Sequence, residues 1–170
     1  MSLQDILLRA QREVVAQWFQ CILATYPADT AKFLKRNTDQ FQNPVGQTIR
    51  SALEDLFKAL IKGADPGAVR SFLDSIIRIR AVQDFTPSEA VGFMFQLKPL
   101  IRAQLDSTSR QNGELSALND LEARIDAATL LAFDIYMECR EQIYAIKAGS
   151  LRKRTELLLE RTFKKGGNDR

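Results

Sequence analysis

The side chains best placed to do chemistry fall in one stretch, "RIRAVQDFTPSEAVGF", from Arg78 to Phe93. Arg78 and Arg80 offer two guanidiniums, Gln83 and Thr86 neutral polar groups, and Asp84 and Glu89 carboxylates, with Phe85 in their midst. The first chemistry to consider is capture of an anion or small ligand by the two arginines. Their spacing argues against joint action, because residues two apart on a helix lie about 200° apart around its axis. The competing reading is structural. Asp84 pairs with one of the arginines and locks a turn between helices, while Ile79, Val82 and Phe85 plug the core.

Acid–base and nucleophilic chemistry find less support. The chain has no histidine, the usual general base near neutral pH and the commonest metal ligand. That removes Ser-His-Asp and Cys-His catalysis, His-ligated zinc and ordinary proximal-His haem. Cys21 and Cys139 are far apart and show no metal-type spacing. They read as buried thiols in a reduced, cytoplasmic setting. No Gly-rich nucleotide cradle occurs. The sequence therefore calls for no cofactor and no metal, and an enzyme is the least supported class.

Helices must position these groups. The chain is 170 residues with 45% hydrophobic and 26% charged content, which suits one globular domain. Apolar residues at 3, 7, 10, 14, 18 and 21 predict a first helix over about Leu3–Thr25, ended by Pro27. Its "MSLQDILLRAQREVVAQWF" start is amphipathic, unlike a signal peptide, and no apolar run reaches the ~20 residues of a membrane span. A short helix follows at about Thr30–Arg36. Asn43-Pro44 and Asp65-Pro66 read as helix starts, and Gly63 as a stop. Thr86-Pro87-Ser88-Glu89 is a capping box with proline at the first helical position. The helix it opens is expected to run unbroken to about Leu105, with a kink at Pro99. Gly92 reads as a place where another helix backbone approaches. "DSTSRQNGE" reads as a loop. A long helix follows, with "AATLLAF" as its central, surrounded part. Gly149 is expected to bend or break it, and "KKGGNDR" reads as a tail.

The prediction is all-α: a single globin-like helical domain of about six or seven helices with a long C-terminal helix. Residues 1–146 form the domain, and 147–170 a basic helix or linker with its tail. Trp18, Phe93 and Leu131 are candidate lining for a cavity. Tyr144, Leu151, Thr155 and Leu158, alternating by fours and threes, are a candidate dimer seam. Residues 147–170 carry eight basic against three acidic side chains. That raises nucleic-acid binding, but the segment lacks interleaved aromatics, which argues against nucleic acid as the main partner.

"NPVGQTIRSALEDLFKALI" followed by "LDSIIRIRAVQDFTPSEAVGFMFQLKPLI" resembles the N-terminal domain of RsbRD-type RsbT co-antagonist proteins. The resemblance runs from the first helix to about Ala145, and the RIRAVQDF segment is its most specific part. It implies a regulatory input domain with a globin-related fold that holds no haem, often dimeric. It implies protein partners in bacterial stress signalling. Full-length co-antagonists continue into a STAS domain and related kinases into catalytic modules. This chain departs from that pattern by stopping soon after the long helix, which leaves two expectations: a sensor acting alone through a partner, or a fragment. The sequence thus supports a non-enzymatic sensor first, a small-molecule receptor second, and nucleic-acid binding third.

Overall fold

The computed structural model describes residues 2–36, 41–105 and 112–166. All regular structure among them is helical: α1 (Leu3–Leu23), α2 (Ala28–Arg36), α3 (Pro44–Lys62), α4 (Pro66–Val82), α5 (Pro87–Val91), α6 (Phe93–Ala103) and α7 (Asn112–Gly166). The fold class is all-α with a long last helix.

Local chemistry sets most of the helix ends. Asn43 accepts from the Gly46 amide at 2.9 Å and so caps α3. The same side chain, fully buried, donates to the Leu34 carbonyl at 2.9 Å and ties α2 to α3. Asp65 accepts from the Gly67 and Ala68 amides at 2.9 and 3.2 Å and caps α4. Gly63 ends α3 at φ 68°, a left-handed conformation that costs little only without a Cβ. A second capping box opens α1, where Ser2 and Asp5 satisfy each other's amides, a signal the sequence reading passed over.

Apolar stripes at helical spacing meet in one core. α1 packs on α3 and α6, while α4 and α6 pack on α7. Trp18, Ile49, Phe57, Leu73, Ile77, Ile125 and Ile135 are among its fully buried members. Three ion pairs clamp α7 from outside: Arg102–Glu122 and Lys98–Asp126 from α6, and Arg70–Glu138 from α4. Exposed pairs of this kind contribute at most about 1 kcal/mol each, so burial carries the packing. Among the described residues no helix is long and apolar enough to cross a membrane.

Three boundary expectations are corrected. The helix that starts at Pro87 is interrupted at Gly92, where a Cβ would lie 2.5 Å from the Ser88 carbonyl oxygen one turn back. The close neighbour is thus its own chain, not another helix, and α6 continues across Pro99 to Ala103. Gly149 does not break α7, because the helix runs through it with nothing within 4 Å of where its Cβ would stand. Intrahelical bonds alone hold it there, and one glycine costs only about 1 kcal/mol. The segments read as loop and tail are partly helical. Asn112–Glu114 begin α7 and Lys164–Gly166 end it, while 106–111 and 167–170 lie outside the described residues.

Candidate functional site

The stretch from Arg78 to Phe93 forms the corner between α4 and α5. Gln83 caps α4, and Asp84 turns the chain at φ 60°. A positive φ is uncommon outside glycine, with Asp and Asn among the residues that tolerate it best. Thr86 and Glu89 then close the capping box. The Glu89 amide donates to Thr86 Oγ1 at 3.4 Å, and the Thr86 amide donates to Glu89 Oε2 at 3.0 Å. The bond from that backbone amide is the main reason the Glu89 carboxyl sits below its usual range.

The two arginines part company. Arg78 is exposed and donates to Asp74 at 2.7 Å, one turn back on α4. Arg80 is fully buried. Its Nε donates to the Ala90 carbonyl at 3.2 Å. Its Nη2 donates to the Glu89 carbonyl at 2.7 Å and to Thr25 Oγ1 at 2.9 Å. The guanidinium lies 4.2 Å from the Phe85 ring centroid and 5.5 Å from that of Tyr26. Those two rings meet edge to face at 5.0 Å, and the Tyr26 hydroxyl donates to Gln83 Oε1 at 2.7 Å. Carbonyl dipoles and ring faces therefore stand where a carboxylate would be expected. Burial pushes the Arg80 pKa down from its ordinary value, yet arginine stays charged near neutral pH.

Asp84 pairs with neither Arg78 nor Arg80, which corrects the expected Arg–Asp lock. Its partner is Arg140 on α7, whose Nη1 donates to Asp84 Oδ1 at 2.6 Å and to the Ala81 carbonyl at 3.0 Å. That bond is the first cause of the depressed Asp84 carboxyl, and it raises the Arg140 pKa. Arg140 also reaches the Tyr144 hydroxyl at 3.2 Å and lies over its ring at 5.1 Å. One turn earlier, the Tyr136 hydroxyl donates to the Phe85 carbonyl at 2.5 Å. Val82, expected in the core, is 68% exposed, because the last turn of α4 rotates it outward. The corner is thus fixed on one side by Arg80 and on the other by α7.

Thr25, Tyr26, Tyr136 and Arg140 were missed as members of this cluster. Only the spacing of Tyr136, Arg140 and Tyr144, four apart on one helix face, hinted at it. A cleft of about 380 Å³ opens beside the corner, with Thr25, Glu89, Gly92 and Phe93 in its wall. Trp18 and Phe93 are neighbours, with ring centroids 5.8 Å apart and Trp18 Nε1 donating to the Phe93 carbonyl at 2.7 Å. Leu131 lies elsewhere, on a hollow of about 130 Å³ between α3, α4 and α7. Cys139 is buried against the core. Among the described residues no group of three or more His, Cys, Asp or Glu could hold a metal ion.

Helix α7 presents two contrasting faces. Leu121, Ile125, Ala128, Ala132, Ile135 and Cys139 are buried. On the opposite face Leu130, Met137, Tyr144, Leu151 and Leu158 recur every seven residues and are 40–71% exposed. From Tyr144 to Phe163 every side chain is exposed, so this half of the helix has left the packed body. Thr155 stands on the same side, its hydroxyl bonded back to the Leu151 carbonyl at 3.0 Å.

Neither the curated proteins nor the solved structures include a match to this chain. The RsbT co-antagonist protein rsbRD N-terminal domain matches over residues 12–149, and the chain belongs to that family.

Proposed function

We propose that this protein is a cytoplasmic, non-enzymatic input module of bacterial stress signalling that acts by repacking helices. Two copies pair through the outer face of α7, along Tyr144, Leu151, Thr155 and Leu158, and protein partners read the result. The observation that carries this reading is the double role of α7. Its inner face is locked to the α4–α5 corner through Arg140 and Tyr136. Its outer face carries an exposed apolar residue every seven positions from Leu130 to Leu158. A seven-residue repeat of this kind favours a left-handed pairing of helices. A change at the corner would then alter α7, and a modest difference in affinity between two packings suffices to shift their populations. Family membership supports the regulatory role.

Sedimentation equilibrium of the intact chain tests the pairing. A dimer at micromolar concentration is expected, falling to monomer in Leu151→Glu/Leu158→Glu with unchanged thermal stability. A wild-type chain that stays monomeric over that range refutes the pairing.

A further inference from the structure

A second feature involves none of the corner residues: α1, α2 and α3 border an open cleft of about 630 Å³. That volume is in the range of small-molecule sites. Its rim carries four cations, Arg9, Arg12, Lys35 and Arg50, against one carboxylate, Glu54. None of the five is in an ion pair among the described residues. On the packed body Arg70, Arg78, Lys98, Arg102 and Arg140 each hold a carboxylate, so four unpaired cations around one concavity stand out from them. Unmatched positive charge concentrated in one concavity raises the local concentration of anions.

Arg50 sets this cleft apart from a merely basic surface. Its Nη2 donates to the Leu34 and Lys35 carbonyls at 3.3 and 2.9 Å, at the C-terminal end of α2. Its guanidinium lies 4.5 Å from the Phe19 ring centroid. The group is therefore held in one orientation before any ligand arrives. Its Nε is buried without a hydrogen-bond partner, as are Arg80 Nη1 and Glu114 Oε2, so the Arg50 edge that can meet a ligand is the rest of the guanidinium. Arginine's planar fork matches phosphate oxygens, and a dianion satisfies several cations at once where a monocarboxylate satisfies one or two. Val15 and Ala16 on α1 supply an apolar wall beside the rim, so an organic group attached to the phosphate has a surface to lie on.

We propose that this cleft binds a small phosphate-bearing molecule, with Arg50 as the fixed donor and Arg9, Arg12 and Lys35 closing on the remaining oxygens. This site is independent of α7 pairing, since none of its residues lies on α7.

The test is a titration of the full chain, followed by amide and arginine Nε NMR signals. The probes are phenyl phosphate and inorganic phosphate, with sodium chloride at matched ionic strength as control. Saturable shifts centred on Phe19, Lys35 and Arg50 are expected with both phosphates. Tighter binding of phenyl phosphate assigns the site to an organic phosphate, and equal binding assigns it to free phosphate. Arg9→Gln/Arg12→Gln, which removes exposed side chains that make no bond in the fold, should weaken binding at least about tenfold. Arg50→Lys, which keeps charge but loses the fork, should do the same. Shifts that chloride reproduces, that fail to saturate, or that persist in both variants would overturn the assignment. So would saturation by a single-stranded oligonucleotide without saturation by phenyl phosphate.

Discussion

Arg80 is the residue whose loss should cost most at the corner, and its sign is open to test. Two effects oppose each other. A buried charge without a carboxylate carries a desolvation cost of several kcal/mol, which removing it would recover. Against that, Arg80 makes three hydrogen bonds, to Ala90 O, Glu89 O and Thr25 Oγ1. Bonds from a charged donor are worth about 1.5–3 kcal/mol each. Its placement over Phe85 adds up to about 2 kcal/mol where water is excluded. Its Nη1 is buried without a partner, which takes back about 1–3 kcal/mol, and we expect the three bonds and the ring contact still to outweigh both penalties. The bonds also hold the carbonyls at the end of the five-residue α5. We expect Arg80→Met, which keeps much of the bulk, to destabilise by about 2–4 kcal/mol. Arg80→Ala should lose a further 1 kcal/mol or so to the space left behind. For a chain of this length that corresponds to a melting temperature lower by roughly 5–15 °C. Urea unfolding followed by circular dichroism measures both variants. Arg80→Met as stable as the parent, or more so, would show that desolvation wins and that the corner is not pinned by this residue.

Further outcomes follow from single features. Gly63→Ala forces a Cβ into φ 68° and to 3.0 Å from Arg124 Nη1, so it should cost about 1–2 kcal/mol in urea unfolding; an unchanged midpoint would contradict the left-handed cap. The carboxyls of Asp84, Glu89 and Asp5 are depressed by bonds from Arg140, Thr86 and Ser2 respectively. Their stabilisation is full above the unfolded-chain values near ~4 and fades as pH falls through the lower folded values. With no histidine in the sequence, melting temperature should be nearly flat from about pH 5 to 8 and drop below about pH 4. Asp84→Asn should make that acid drop shallower, and a stability maximum near pH 6 with a steep fall on both sides would contradict the assignment.

Much of the fold was legible because the helix ends are written in local chemistry. Asn43-Pro44, Asp65-Pro66 and the Thr86–Glu89 box act over three or four residues, and each cap stands where those residue types predict. The core stripes of α1, α3 and α4 were legible for the same reason, since helical spacing fixes which residues share a face. What escaped depends on residues distant in sequence. Asp84 chose Arg140, 56 positions away, over two nearer arginines, because the reversal at Asp84 turns its carboxylate toward α7. No periodicity reveals that Arg80 is buried, since a charged residue on an apolar face reads as exposed until its carbonyl partners are known. The Arg50 cleft was invisible for the same reason: α1, α2 and α3 each contribute part of its rim. Gly149 misled because an isolated glycine lowers helix propensity without forbidding the helix.

The central claim is that the α4–α5 corner and the outer face of α7 are coupled. The most direct measurement is the self-association constant of Tyr136→Phe, which removes the bond from α7 to the Phe85 carbonyl of the corner and touches no residue of the apolar outer face. Sedimentation equilibrium beside the parent chain should give a constant changed by at least about fivefold, the lower end of ordinary coupling between sites. The same constant in both proteins, each folded and dimeric, would contradict the account.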